Sequence, residues 1–573
     1  MKKEKTRPNF VFIIADQLRG DSLGCAGHPD VRSPAIDSLA ADGVVFDKAY
    51  STNPICVPTR ASLISGNYSH KCTGQKNNGG ALRDDQYRLP QLLSDAGYRT
   101  HAVGKLHYLP YAAPGQERTT NGFQSWRSAE SGRVLKQHDR EGRLRGVEDY
   151  FDYLSDVGWH GFTRAHGVGN NDIHPAISPL PEAHQVDAWV AGEAVQFIDS
   201  VGQAAEAASA GSAPEQPFYL HVGFPKPHSP FDPPARLAAA YDPRHIQRPA
   251  VNRDGAARTP SSLQSSVEHG QGYLSPEAIQ VMRAYYYGLI TFQDEQVARV
   301  FEALKRNGLW ENTVVIFTAD HGEMLGDFGF HFKSSMYEGS ARVPLIVRTP
   351  AGVAAGGERH AEAPSGGGGD GRGQGGRDPS GSRGTAPSGD GGGGGRRSST
   401  LVGLPDLMPT ICDYAGITLD HEVDGVSLAP ELDGGTAGRE GVGADAPGGA
   451  GSGTEAPGNS HGGVAGRETL VSYSLDSPRQ TAMITDGRFK YIYNETGVVE
   501  ELYDLGDDPT EEWNLAGDKQ YRGRQAELMS ELISWAKKNG DEQLLDGDRL
   551  REGPPLSSEQ LSFNVNRMGW RWY

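Results

Sequence analysis

Asn9-Phe10-Val11-Phe12-Ile13-Ile14-Ala15 runs straight into Asp16-Gln17. A continuous apolar, β-rich stretch of this length predicts a central strand buried on both faces, because a half-exposed strand would alternate apolar and polar residues. Strands of that kind belong to sheets covered by helices, and the chain beyond it repeats the alternation. A helix is expected at Pro34 to Asp42, with Ser33 as cap, Pro34 at the first helical position and Gly43 as the stop. Leu89 to Ala96 reads as helix, and Thr100 to Val103, Pro217 to Phe224, Thr313 to Ala319 and Val343 to Arg348 read as strands. A long helical pattern from Pro276 to Asn307, capped by Ser275 and stopped by Gly308, leads into the strand that ends at Asp320. The pattern predicts an α/β fold with a large, mixed, mostly parallel sheet flanked by helices. Sheets of this class bind ligands at the carboxyl ends of their strands, so Asp16 and Asp320 are expected to meet at one rim.

The chain has 573 residues, more than one ordinary core accommodates, and two domains are expected. Two Gly-rich stretches, 351–397 and 434–466, cannot bury enough apolar surface to offset chain entropy and read as a disordered insertion and linker. They leave a catalytic domain over 1–433 and a smaller C-terminal α+β domain over 467–573. In the latter, strands are expected at Thr469 to Tyr473, Gln480 to Thr485 and Phe489 to Tyr493. Asp486-Gly487 turns the last two into a hairpin, and a helix follows at Arg522 to Lys538. A formal charge of -18 argues against broad attraction to nucleic acid, so an anionic substrate needs a local basic pocket. The apolar run Phe10 to Ala15 is too short for a signal sequence, and nothing later is long and apolar enough to span a membrane. Four cysteines, Cys25, Cys56, Cys72 and Cys412, lack the paired spacing of zinc knuckles or disulfide scaffolds and fit a reducing cytoplasm. Three of them read as small buried hydrophobes.

Cys56 is the exception. In Cys56-Val57-Pro58-Thr59-Arg60 it precedes a helix-like run, Thr59 to Ile64, that stops at Gly66. A thiol there faces backbone amides and the positive end of the helix dipole, which favour an anion. Alone this indicates a reactive thiol. Cys-x-Pro-x-Arg followed by Ala61-Ser62-Leu63 resembles the signature by which sulfatases are recognised and their cysteine oxidised to formylglycine. Thr59 stands where serine is most common. The likeness extends through Phe10 to Asp16, Gly104-Lys105-Leu106-His107, Pro227-His228, Thr318-Ala319-Asp320-His321-Gly322-Glu323 and Lys333 ahead of Tyr337-Glu338-Gly339. Leu502-Tyr503-Asp504-Leu505 resembles the closing segment of the same family.

The resemblance implies an alkaline-phosphatase-like fold, a formylglycine at position 56 supplied by a formylglycine-generating enzyme, and hydrolysis of a small-molecule or saccharide sulfate monoester. Asp16, Gln17 and Asp320 offer oxygen ligands suited to a hard cation, and His321 adds an imidazole. With residue 56 they form the implied metal set, with calcium as the family's ion and magnesium or manganese as the alternatives that a histidine ligand leaves open. Arg60 and Lys105 are assigned to the charge around the nucleophile, and His107 to the proton removed when the aldehyde re-forms. His228 and Lys333 are assigned to the sulfate oxygens and to protonation of the leaving alcohol. Lys226 is balanced between function and an ordinary solvated charge. His70 and Asn77, close after the nucleophile helix, stand outside the assigned set.

Many sulfatases have a second aspartate where this chain has Gln17, and often asparagine where it has His321. The Gln and His variant resembles a subset of bacterial sulfatases and the related phosphonate monoester and phosphodiester hydrolases. A phosphonate monoester or phosphodiester hydrolase is therefore the second reading. A phosphotransferase using the unmodified thiol is a third, and a non-catalytic binding protein a fourth.

Overall fold

In the computed structural model of the protein, the residues described are 7–76, 78, 80–107, 119–130, 145–146, 148–169, 172–209, 216–255, 274–350, 395–434, 467–475, 480–495 and 500–554. The insertion and linker inferred from composition lie almost wholly outside them.

The large sheet has eight strands: β1 (Asn9–Asp16), β2 (Val44–Tyr50), β3 (Arg99–Gly104), β4 (Ser125–Ser128), β5 (Phe218–Pro227), β6 (Thr313–Ala319), β7 (Leu345–Arg348) and β8 (Arg396–Gly403). Their order is β4-β3-β5-β1-β6-β7-β2-β8, with β7 alone running against the rest. β1 sits between β5 and β6, parallel to both, and all eight of its residues are buried. Its central position explains the unbroken apolar run, since both faces meet helices.

Beyond the strands inferred from sequence, the sheet gains β2, β4 and β8, and a helix at Val186–Ser209 packs against β5. β2 and β8 mix charge with apolar residues and β4 is only four residues long, so none of the three carries a clear strand pattern. Arg396 and Arg397, placed in the insertion by composition, are instead the first two residues of β8, paired with Val44 and Val45. Pairing along the sheet edge overrides what composition alone implies.

The helix Pro34–Ala41 starts as expected, but Ser33 does not cap it. Ser33 Oγ accepts from Gly24 N and donates to Asp37, while Ala35 N and Ile36 N donate to the Asp294 carboxylate at 3.1 and 2.8 Å. Asp294 comes from the long helix Pro276–Arg306, so a tertiary contact supplies the cap. Replacing Asp294 by Ala should lower stability by about 1–2 kcal/mol, read as a reduced urea midpoint at unchanged slope.

A second, antiparallel sheet, β12-β11-β10-β9, is built from β9 (Leu470–Ser474), β10 (Thr481–Thr485), β11 (Phe489–Asn494) and β12 (Glu501–Asp504), with the helix Arg522–Asn539 against it. Asp486 N donates to Phe489 O, and Gly487 has a φ of 86°, as the hairpin required. β9 lies against the segment before Cys56: Tyr473 N donates to Thr52 O at 3.1 Å, and Ser472 Oγ to Ser51 O at 2.8 Å. The second sheet thus braces the segment that leads to Cys56. Among the described residues no helix is long and apolar enough to cross a membrane.

Candidate active site

The carboxyl ends of β3, β5, β1 and β6 lie side by side, and each is followed by residues singled out from the sequence. β1 ends in Asp16 and Gln17, β6 in Asp320 and His321, β3 in Lys105, and β5 in Lys226 and His228. β2 ends at the same rim and delivers the chain to the helix Cys56–Ser65. Close approach of β3 and β5 rests on glycine. A side chain at Gly104, whose φ is 85°, would put Cβ 2.0 Å from Gly223 O, and one at Gly223 would meet Lys105 O at 2.1 Å. That glycine pair lets Lys105 N donate to Gly223 O at 2.8 Å and turns the lysine toward β1.

The nucleophile helix is buried along its whole length. Its first free amide, Val57 N, donates to Asn78 Oδ1 at 3.0 Å, and Gly66 closes it in a left-handed turn with its N–H on Ser62 O. Asn78 therefore serves this helix; Asn77 lies outside the described residues. His70 turns away to Tyr473 Oη at 2.7 Å and Asn539 O at 3.0 Å, joining the two sheets.

Cys56 Sγ lies 3.1 Å from His321 Nε2. The other ring nitrogen, Nδ1, is 2.9 Å from Gly322 O and donates to it, which fixes Nε2 as the ring atom facing the thiol. Asp16, Cys56, Asp320 and His321 each present a ligand atom within 4.8 Å of the others, all four residues buried. Arg60 ties the carboxylates together, with Nε 2.8 Å from Asp320 Oδ2 and Nη2 3.2 Å from Asp16 Oδ2. Lys105 also pairs with Asp16 Oδ2. Asp320 Oδ1 accepts from Gln17 N at 3.0 Å and His321 N at 2.9 Å. Asp16 Oδ1, fully buried, has no hydrogen-bond partner. An orphaned carboxylate oxygen facing a second carboxylate and an imidazole fits a hard divalent cation well.

Gln17 has a φ of 69° and is held at both ends of its amide. Nε2 donates to Glu323 Oε2, and Oε1 accepts from Lys333 Nζ at 2.7 Å. Lys333 Nζ is also 2.9 Å from His228 Nε2, while His228 Nδ1 is 2.8 Å from Ser229 O and donates to it. The ammonium is therefore the donor of the pair and the imidazole the acceptor. Burial and the neighbouring ammonium hold His228 well below its usual range, consistent with a neutral ring. His107 stands two residues beyond Lys105, buried, in a left-handed turn; Leu106 N and His107 N both donate to Glu130 Oε1 at 2.9 Å. Nine of the ten assigned residues thus share contacts around Cys56, and His107 adjoins them through Lys105. Lys226 does not join them: its Nζ binds Asp232, Pro230 O and His228 O.

Two residues gain a role from the structure. Glu323 accepts from Gln17, Leu325 N and Phe332 N, tying the β6 loop to the segment that carries Lys333. Glu130 holds the turn after Lys105. Glu323 closes the Asp-His-Gly-Glu run, where sequence marks its position but not its contacts, and Glu130 has no local pattern to mark it.

Burial acts to raise the Cys56 thiol, but Lys333 and His321 reverse this and bring it down to about 7. Burial, the leading cause in each, pushes Cys25, Cys72 and Cys412 up to about 12. Burial also acts against the Asp16 carboxylate, yet Lys105 and Arg60 hold it well below the usual range. At pH 7, iodoacetamide should label Cys56 of unmatured, cation-free protein before the comparably buried Cys72 and Cys412, as peptide mass spectrometry would show; equal labelling of these three would contradict this electrostatic picture.

Comparison with known proteins follows the same outline. A family model described as Sulfatase matches residues 8–417. An arylsulfatase of Clostridium perfringens (strain 13 / Type A) is 26% identical over 562 residues, covering 96% of this chain and 99% of the relative. An N-acetylglucosamine-6-O-sulfatase of Bacteroides thetaiotaomicron is 25% identical over 591 residues, covering 94% and 88%. The crystal structure of a phosphonate monoester hydrolase of Agrobacterium radiobacter superposes with a TM-score of 0.65 at 24% identity, covering 93% of this chain and 96% of that one.

Proposed function

Because this chain belongs to the sulfatase family and is a sulfuric ester hydrolase, we propose that it works through Cys56 matured to formylglycine beside one divalent cation, calcium by family likeness. The observation that carries this reading is the convergence of Cys56, Asp16, Asp320 and His321 at the start of a buried helix, with Lys333 and Lys105 on either side. The cation would be held by Asp16, Asp320, His321 and the oxygens of Gln17 and residue 56. Once in place, cation and hydrated aldehyde would supply a metal-activated geminal diol, one hydroxyl for attack on sulfur and the other to release sulfate afterwards.

The chain's own residues do the rest. Arg60 and Lys105 offset the paired carboxylates, so that two buried anions coexist within one site. Lys333, positioned by Gln17 and His228, bears the proton that the leaving alcohol takes up, and His228 orients it. His107 receives the proton released as the aldehyde re-forms. The glycine pair under Lys105 and the Glu323 tie under Gln17 hold these groups before substrate arrives.

The substrate we assign is a sulfate monoester of a small alcohol or saccharide; the N-acetylglucosamine-6-O-sulfatase relative supports the saccharide. The free thiols of Cys25, Cys56, Cys72 and Cys412 support a reducing, cytoplasmic location. Mass spectrometry of the Cys56 peptide, after expression with a formylglycine-generating enzyme, should show a loss of about 18 Da. Matured protein should turn over 4-nitrophenyl sulfate faster than the matched phenylphosphonate monoester. Faster phosphonate turnover would transfer the assignment to the second reading, and an unmodified thiol beside an active maturation enzyme would remove the formylglycine mechanism.

A further inference from the structure

Lys226 lies outside the catalytic cluster, yet it is not an ordinary solvated charge. Its side chain is 12% exposed, and its Nζ donates to His228 O at 3.2 Å, to Pro230 O at 2.6 Å and to the Asp232 carboxylate. An ammonium has three N–H donors, so none is left over for a substrate oxygen.

The surrounding sequence accounts for this arrangement. Phe224 to Pro234 carries prolines at 225, 227, 230, 233 and 234, which lack the N–H groups that would close a backbone turn. Buried carbonyls in such a stretch need a donor from a side chain. Among the described residues, His228 O and Pro230 O take theirs from Lys226 alone. Lys226 and its partner are themselves held. Gln293 Nε2, on the helix Pro276–Arg306, donates to Lys226 O at 2.6 Å. Asp232 Oδ2 accepts from His166 Nε2 at 3.1 Å; that nitrogen carries the proton, because His166 Nδ1 accepts from Val168 N at 3.0 Å. Pro227, the next residue, pairs with Asp16 across β5 and β1.

The loop gathered in this way carries His228. The His228 ring donates from Nδ1 to Ser229 O at 2.8 Å, a carbonyl lying between the two that Lys226 holds, and accepts at Nε2 from Lys333 Nζ at 2.9 Å. We propose that Lys226 is a positioning residue: its ammonium gathers residues 228–232 into the loop that aims the His228 ring at Lys333. The inference rests on the roles given above to His228 and Lys333. As the S–O bond breaks, the alcohol oxygen keeps the bonding pair and takes a proton from Lys333 Nζ, so a loosened His228 costs most where that proton is needed most. 4-Nitrophenolate leaves readily as an anion and phenolate less so. Loss of Lys226 should therefore bear harder on phenyl sulfate.

The test compares wild-type matured protein with Lys226→Met, which keeps the length of the side chain and removes its donors. The kcat/KM for phenyl sulfate should fall at least about 10-fold further than that for 4-nitrophenyl sulfate, since a misplacement of about 1 Å can cost on the order of 100-fold. Hydrogen–deuterium exchange read by mass spectrometry should quicken in peptides covering 226–232, while peptides of the helix Cys56–Ser65 keep the wild-type rate. Lys226→Met/Asp232→Asn removes both charges of the buried pair, so it remains informative if the single variant fails to fold, and it should show the same ester selectivity. Equal losses on the two esters, undiminished turnover of phenyl sulfate, or unchanged exchange over 226–232 would each overturn the proposal. Wild-type protein that hydrolyses neither ester would reject the hydrolase reading, whereas the exchange comparison reports on Lys226 without turnover, so the two failures are distinct.

Discussion

Replacing Cys56 by Ala should reduce kcat/KM for 4-nitrophenyl sulfate by about 10⁴-fold or more, the scale on which loss of a covalent nucleophile is felt. The fold should survive and cation binding should weaken rather than vanish, because one ligand is lost while the carboxylates and imidazole around residue 56 are held by other partners: Arg60 and Lys105 on Asp16, Gln17 N and His321 N on Asp320, Gly322 O on His321. Serine at this position makes the sharper experiment. Its single hydroxyl can attack sulfur, its proton being lost and the alcohol leaving with another. It has no second hydroxyl to expel sulfate. Cys56→Ser should therefore accumulate a sulfated enzyme about 80 Da heavier after one turnover, visible by intact mass spectrometry. Steady turnover by Cys56→Ser at the wild-type rate would show that the second hydroxyl is unnecessary and would overturn the formylglycine mechanism.

The second large effect is expected at Asp320. Its carboxylate accepts from Arg60 Nε, Gln17 N and His321 N, and neither it nor its neighbours reach solvent. Asp320→Ala leaves a buried guanidinium with one carboxylate partner and strands two backbone amides, so in cation-free protein stability should fall by about 3–5 kcal/mol. Under the proposed metal set, the same substitution also removes a cation ligand. Calcium at 100 times its Kd should stabilise wild-type protein by about 2.7 kcal/mol, seen as a raised melting temperature. In Asp320→Ala that increment should shrink or vanish, together with turnover. Where the variant is too unstable to purify, Asp320→Asn keeps the shape and one acceptor oxygen, and the loss of calcium stabilisation becomes the readout. An unchanged calcium response in the Asn variant would remove Asp320 from the metal set.

Much of the site was legible because its residues sit at the ends of strongly patterned segments. Asp16 follows an apolar run that only a doubly covered strand produces, and Asp320 follows another, so their meeting at one rim came from the periodicity of each segment and the parallel order of such sheets. Cys56 was legible because proline, arginine and a small-residue helix around it form a compact local pattern. The Ser33 cap was read from the same kind of local rule and did not hold, because Asp294, more than 250 residues away, reaches the same amides with a full carboxylate. Lys226 and His228 look alike in sequence as basic residues after a buried strand. The family resemblance assigned His228 and left Lys226 balanced; packing decides the latter, turning Lys226 toward Asp232 while His228 meets Lys333.

The sequence by itself determined the fold class and that Asp16 and Asp320 stand at strand ends on one rim, because strand burial is written in contiguous residues. Tertiary structure alone decided that Lys226 turns away from Cys56, that Glu323 and Glu130 support the residues around it, and that β8 begins at Arg396. These depend on contacts between segments far apart in the chain, where burial and charge pairing are set by neighbours that no local pattern names.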